Sequence, residues 1–330
     1  MKSFSAKTVC EGAVVSALTV ILVMLGTYVP VISLFAVFIC GLPVAYLVIR
    51  HGMKTALTSF AVSIILLLII TGNIITVVLT ACVVLLPGLT AGCLISKNNR
   101  YYSTLFAVCA SVLFGVLVNI MMIDVFTGGE NGVVGMVDEA INSTKNILMP
   151  VIEEAQNNGI TGMTEMVDSL LSQTKTAFLS YFPTILIIYS LAVGYLVLAS
   201  VIFFMKRLRV KNYEYIRFSM IKAPKSMSFV LVILMLVSFF SNDTTIYTLV
   251  LKNVIAVLSF ILAVNGLSII DFSLKKSVKS GYARFGIYMA VIVVGYIILS
   301  VIFYLLMLVG MIDSTRDIRR LKRVGGDREN

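Results

Sequence analysis

Apolar runs follow one another along almost the whole chain, and one long polar stretch, Asp124–Lys175, interrupts them. Most runs have the length at which a helix crosses a bilayer, roughly 17–25 residues. In hydrocarbon every backbone polar group must find its partner within the segment, so such runs predict helices. Stretches such as Ile64–Ile70 do not alternate apolar with polar residues, which argues against a transmembrane β-barrel. The expected class is all-α: a polytopic transmembrane helical protein of eight or nine spans.

In chain order the first spans are expected near Val9–Val29, Val31–Ile49, Ala56–Ile70, Ile74–Ile95 and Tyr101–Ile123. Lys2 and Lys7 precede the first run as in a signal peptide. It continues without a small-x-small cleavage pattern, so it reads as a retained span. Gly41 and Pro43 predict a kink in the second span, and Pro87-Gly88 a break in the fourth. The sixth span is expected at Ser180–Met205. Beyond it Met227–Phe240 is short, Tyr247–Ile270 is ample and Phe285–Met311 is long.

The polar stretch has its own period. Met136, Ala140, Ile147 and Val151 fall near one helical face, and most charges fall elsewhere, which predicts an amphipathic helix. Pro150 is expected to bend or split it, and Asn157-Asn158-Gly159 to end it. A second amphipathic helix from about Met163 should run into the sixth span, with Pro183 near the junction.

Charge then orients the elements. The net charge is +10, yet the polar stretch holds eight acidic residues against two lysines. The positive excess therefore lies in short loops between apolar runs, as the positive-inside rule expects, and does not point to nucleic acid. This predicts a membrane protein with a cytoplasmic N-terminus and the 124–179 loop outside. The Lys206–Lys225 loop has seven basic residues and one acid and should be internal. With nine spans the tail bearing Arg316, Arg319 and Arg320 is external. With eight, the tail is internal and Lys275–Arg284 faces out. The division runs 1–205 as a six-span unit, 206–226 as a basic loop, 227–312 as a unit of two or three spans, and 313–330 as a charged tail.

Candidate chemistry is sparse. Five cysteines lie singly in or beside apolar runs, and His51 is the lone histidine, so no disulfide framework, metal site or cofactor is expected. No Asp, Glu, Lys or Arg lies near the middle of a span, which disfavours an ion-coupled pump. Phosphate-loop and hydrolase motifs are absent, so a non-enzymatic protein is expected. Gly12, Ala13, Ser16 and Ala17 put small residues on the first helix, where they would let another helix approach, within the protein or from a partner. Glu11 beside them must be solvated or paired. Pro87 and Gly88 in the broken span, with the amide of Asn119, are the candidate ligand-binding residues. Asn265 would bond a substrate or a neighbouring helix. Asp313, Arg316, Asp317 and Arg320 have the spacing of ion pairs on a solvated helical tail.

Glu11-Gly12-Ala13 opening the first span, the long helical loop before the sixth, and Gly310-x-Ile312-Asp313-x-x-x-Asp317-x-Arg319 together resemble the YybS-like family of uncharacterised bacterial membrane proteins, a resemblance that implies a plasma-membrane location. The first six spans are more loosely similar to substrate-binding S components of energy-coupling factor (ECF) transporters. That resemblance implies a six-helix core binding a small ligand from outside, with Ala13 and Ala17 docking a T component and partner ATPases driving uptake. The long acidic loop and the extra C-terminal spans depart from that pattern. The alternative is a scaffold or regulatory protein whose basic loops recruit cytoplasmic partners.

Overall fold

The structure, a computed structural model, describes residues 6–126, 132–157, 162–241, 246–278, 280, 282–284, 286–287, 299–316 and 318–319. Every regular element among them is helical. Six helices or continuous helical passages are long and apolar enough to cross a membrane. The described residues confirm neither eight nor nine spans. The chain divides into two compact units, Met1–Tyr215 and Ile216–Asn330, with the division inside the basic loop.

The first unit begins with α1 (Ala6–Tyr28), α2 (Pro30–Ile39), α3 (Leu42–His51) and α4 (Met53–Thr71). The expected kink falls between α2 and α3, where Pro43 lacks an N–H to continue the ladder. Next come α5 (Ile74–Leu79), a π-helical segment (Thr80–Leu85) and α6 (Leu86–Ser96). The break expected at Pro87 is instead a continuous passage from Ile74 to Ser96. Its π turn lets the Leu86 amide bond to the Ala81 carbonyl, five residues back. The wider turn offers a way to absorb the donor that Pro87 lacks.

α6 also crosses α3 closely. A Cβ added at Gly88 would lie 2.3 Å from the Gly41 carbonyl oxygen, so only glycine fits there. Such contacts bring backbones together where lipid tails offer no hydrophobic drive for association.

α7 (Tyr101–Phe126), α8 (Val133–Asn157) and α9 (Met163–Arg207) complete the unit. Pro150 does not split α8, which is one helix containing it. The described part of it runs to Asn157, and Asn158-Gly159, where it was expected to end, lie outside the described residues. The expected fusion of the second amphipathic helix with the sixth span is realised in α9. Its 45 residues span about 68 Å, against about 30 Å of hydrocarbon, so its first half stands clear of a bilayer. After α9 the chain folds back on the α6–α7 turn: Tyr213 donates to the Asn99 carbonyl and Lys211 to that of Ser96.

The second unit comprises a short 3₁₀ turn (Phe218–Met220), α10 (Lys225–Phe239), α11 (Ile246–Ser277) and α12 (Leu299–Arg316). α11 and α12 cross at a pair of glycines. Added methyls would meet the Leu306 carbonyl oxygen from Gly266 and the Leu262 carbonyl oxygen from Gly310.

The end of α12 sits at the start of α10, where Ser314 hydrogen-bonds Ser228. Arg319 lies against Ser219 and Ile221, and Ser268 of α11 donates to Phe218 and Ile221. The tail and the last third of α11 therefore meet the same end of this unit, beside the 218–221 turn. Neither count weighed from the sequence provides that arrangement, since each sends one of the two basic groups to the opposite side.

Candidate ligand site

Two ion pairs fix how α8 meets α9. Asp138 pairs with Lys175, and Lys145 with Asp168 at 2.6 Å. Seven residues forward on α8 match seven backward on α9, so the two form an antiparallel hairpin. Both pairs are part-exposed and serve register more than stability, at about 0–1 kcal/mol each.

At the base of this hairpin lies a cavity of about 480 Å³, within the usual range for small-molecule sites. Ile120 of α7 forms one side. Met136, Val137, Ala140 and Ile141 of α8 form the second, and Leu171, Phe178 and Phe182 of α9 the third. Its polar groups are few. The Thr144 and Thr174 hydroxyls donate to carbonyls one turn back on their own helices, and the Lys175 ammonium is held by Asp138. Such walls suit an apolar body with one polar end.

The residues singled out from the sequence fall elsewhere. Gly12 and Ser16 are buried against α4: the Ser16 and Ser59 hydroxyls lie 2.6 Å apart, and both reach the Gly12 carbonyl. Ala13 and Ala17 are exposed on the adjacent face of α1, about 100° round the helix. Pro87 and Gly88 are buried in the passage that crosses α3. Asn119 is half-buried, next in sequence to the cavity-lining Ile120, and its Oδ1 is enclosed without a hydrogen-bond partner. Glu11 is paired: its carboxylate meets His51 Nε2 at 2.5 Å and Arg50 Nη2 at 3.4 Å. Among the described residues no group of three or more His, Cys, Asp or Glu is placed to hold a metal.

One cluster escaped the sequence reading. Arg319 and Asp313 are both buried. Arg319 Nε and Nη2 donate to Asp313 Oδ2, and Nη1 donates to the Ser219 carbonyl and the Ser268 hydroxyl. Nη2 also reaches the Ile221 carbonyl and Asn265 Oδ1. Asn265 in turn donates to the Gly310 carbonyl, so its role is interhelical. The expectation of a solvated tail is thus corrected: Asp313 pairs six residues ahead, past the last helical residue, and the pair is enclosed. Asp317 and Arg320 lie outside the described residues. The only sequence sign was that Asp313 and Arg319 both stand in the closing motif.

Residues 17–314 match the family described as "Predicted membrane protein (DUF2232)". The chain belongs to that family. It is 24% identical over 274 residues to the "Uncharacterized protein YybS" of Bacillus subtilis (strain 168), covering 82% of this chain and 85% of that one. The YybS-like resemblance is therefore borne out, and the likeness to S components gains no support. No solved structure matches the chain.

Proposed function

We propose that this is a non-enzymatic, multi-pass plasma-membrane protein that takes a small amphipathic ligand into the cavity at the base of the α8–α9 hairpin. On the positive-inside rule the hairpin is extracytoplasmic and the N-terminus cytoplasmic. The observation that carries the reading is the cavity itself, three-sided, nearly all apolar and rimmed by one ion pair. Onward transport would depend on a T component and ATPases, and the exposed Ala13 and Ala17 are where such a partner helix would pack.

The test is a thermal-shift screen of the purified protein against vitamins and amphipathic small molecules, beside an Ala140→Trp variant that fills the cavity. A ligand that raises the melting temperature of the parent and not of the variant supports the reading. A ligand that stabilises both equally, or none that stabilises the parent, overturns it.

A second reading, a scaffold that recruits cytoplasmic partners, is favoured by the exposed Lys206, Arg207, Arg209 and Arg217. Reversing those charges would abolish partner capture under this reading and leave ligand binding intact under the first.

A further inference from the structure

The first unit holds a second apolar groove, of about 520 Å³, at its basic end. Leu18 and Leu22 of α1, Leu42 and Pro43 of α3, and Phe204 and Leu208 at the end of α9 wall it, and Tyr46 and Arg50 stand at its mouth. From these features we propose that it is a binding site for one phospholipid with an anionic headgroup.

Depth is the first argument. The lining runs along α3 from the exposed Arg50 to Leu42. That is a rise of about 12 Å, most of the half-thickness of a hydrocarbon core of about 30 Å. The groove fits within one leaflet.

Charge is the second. The Arg50 guanidinium donates to the Tyr46 hydroxyl and to Glu11, and packs over the Tyr46 ring at 5.5 Å. Those bonds fix its position and leave N–H groups directed to solvent, since its side chain is 42% exposed. Arg207 and Arg209, both exposed, flank the groove-lining Leu208. Glu11 is the opposing charge, and it is occupied by His51 and Arg50. A cationic mouth above an apolar cleft that fits within one leaflet matches a phosphate headgroup carrying acyl chains, as basic pockets between membrane helices do. The hairpin cavity has no part in this site.

The chain contains no tryptophan, so one placed at the groove reports on it alone. The full-length Leu18→Trp protein, reconstituted in phosphatidylcholine, is titrated with brominated phosphatidylglycerol or brominated phosphatidylcholine and its fluorescence quenching followed. Leu57→Trp, on the exposed face of α4 near the same end, is the control. Phosphatidylglycerol is expected to be preferred about fivefold at Leu18→Trp, the order expected for one basic side chain at the surface, and not at Leu57→Trp. Arg50→Gln should remove most of that preference and the double variant Arg207→Gln/Arg209→Gln part of it. The second change lies wholly on exposed residues, so it reads the site even where Arg50→Gln misfolds. Equal quenching by the two lipids at Leu18→Trp, or a preference that survives both sets of changes, overturns the proposal.

Discussion

The Arg319 guanidinium sits 2.8 Å from the Asp313 carboxylate, with both side chains almost wholly withdrawn from solvent. The pair closes a loop of chain just past α12 and pins it to the 218–221 turn and to α11. All the N–H groups of Arg319 are engaged, by a carboxylate, an amide, a hydroxyl and two carbonyls.

Removing one partner of a buried pair strands the other charge, at about 3–5 kcal/mol. Arg319→Met should therefore lower the melting temperature more than Asp313→Asn, because it also strands the carbonyls of Ser219 and Ile221. Arg319→Lys should not restore stability, since a compact ammonium cannot reach acceptors spread around a planar fork. Thermal unfolding in detergent measures this, and a Lys variant equal to the parent would refute the account.

Two glycines give contrasting expectations. An added methyl at Gly12 meets only Thr55 Cγ2 at 3.8 Å, whereas at Gly88 it collides with the Gly41 backbone. Gly12→Ala should leave the melting temperature nearly unchanged, and Gly88→Ala should cost about 1–3 kcal/mol by overpacking.

The antiparallel register of the hairpin is open to cross-linking. In a chain freed of its native cysteines, Asp138→Cys/Lys175→Cys should be joined quickly by a short bifunctional maleimide. Asp138→Cys/Asp168→Cys should be joined far more slowly, because seven residues along α9 displace the partner by about 10 Å. Equal rates for the two pairs would mean that α8 does not hold this register.

Side of the membrane is testable within the second unit alone. Cysteines replacing Lys222, Lys276 and Arg316 should react with an impermeant maleimide from one and the same side of sealed vesicles. Labelling of Arg316→Cys from the side opposite Lys222→Cys would contradict the anchoring of Arg319 beside Ser219 and Ile221.

How much of this was legible beforehand varied by element. The helical class, the kink near Gly41 and Pro43, and the fusion of the second amphipathic helix with the sixth span all lay in the apolar pattern, because period and length are local properties. Ser16 illustrates the boundary: its small size was plain, but whether it faced a partner or α4 depended on Ser59, 43 residues away. The cavity was hidden for a similar reason. Its walls are ordinary apolar residues on three helices, and no spacing within one helix announces a space between them.

By itself the sequence determined that this chain folds as apolar helices with one acidic hairpin, since a backbone in hydrocarbon satisfies its polar groups only in helices or closed barrels and these runs lack a barrel's alternation. Tertiary structure alone decided which charges are solvated and which enclosed. Glu11 found His51 and Arg50, and Asp313 found Arg319 instead of Arg316. A charge inside a membrane protein is tolerated only beside its partner, and which residue stands beside it is set by the packing of helices far apart in the chain.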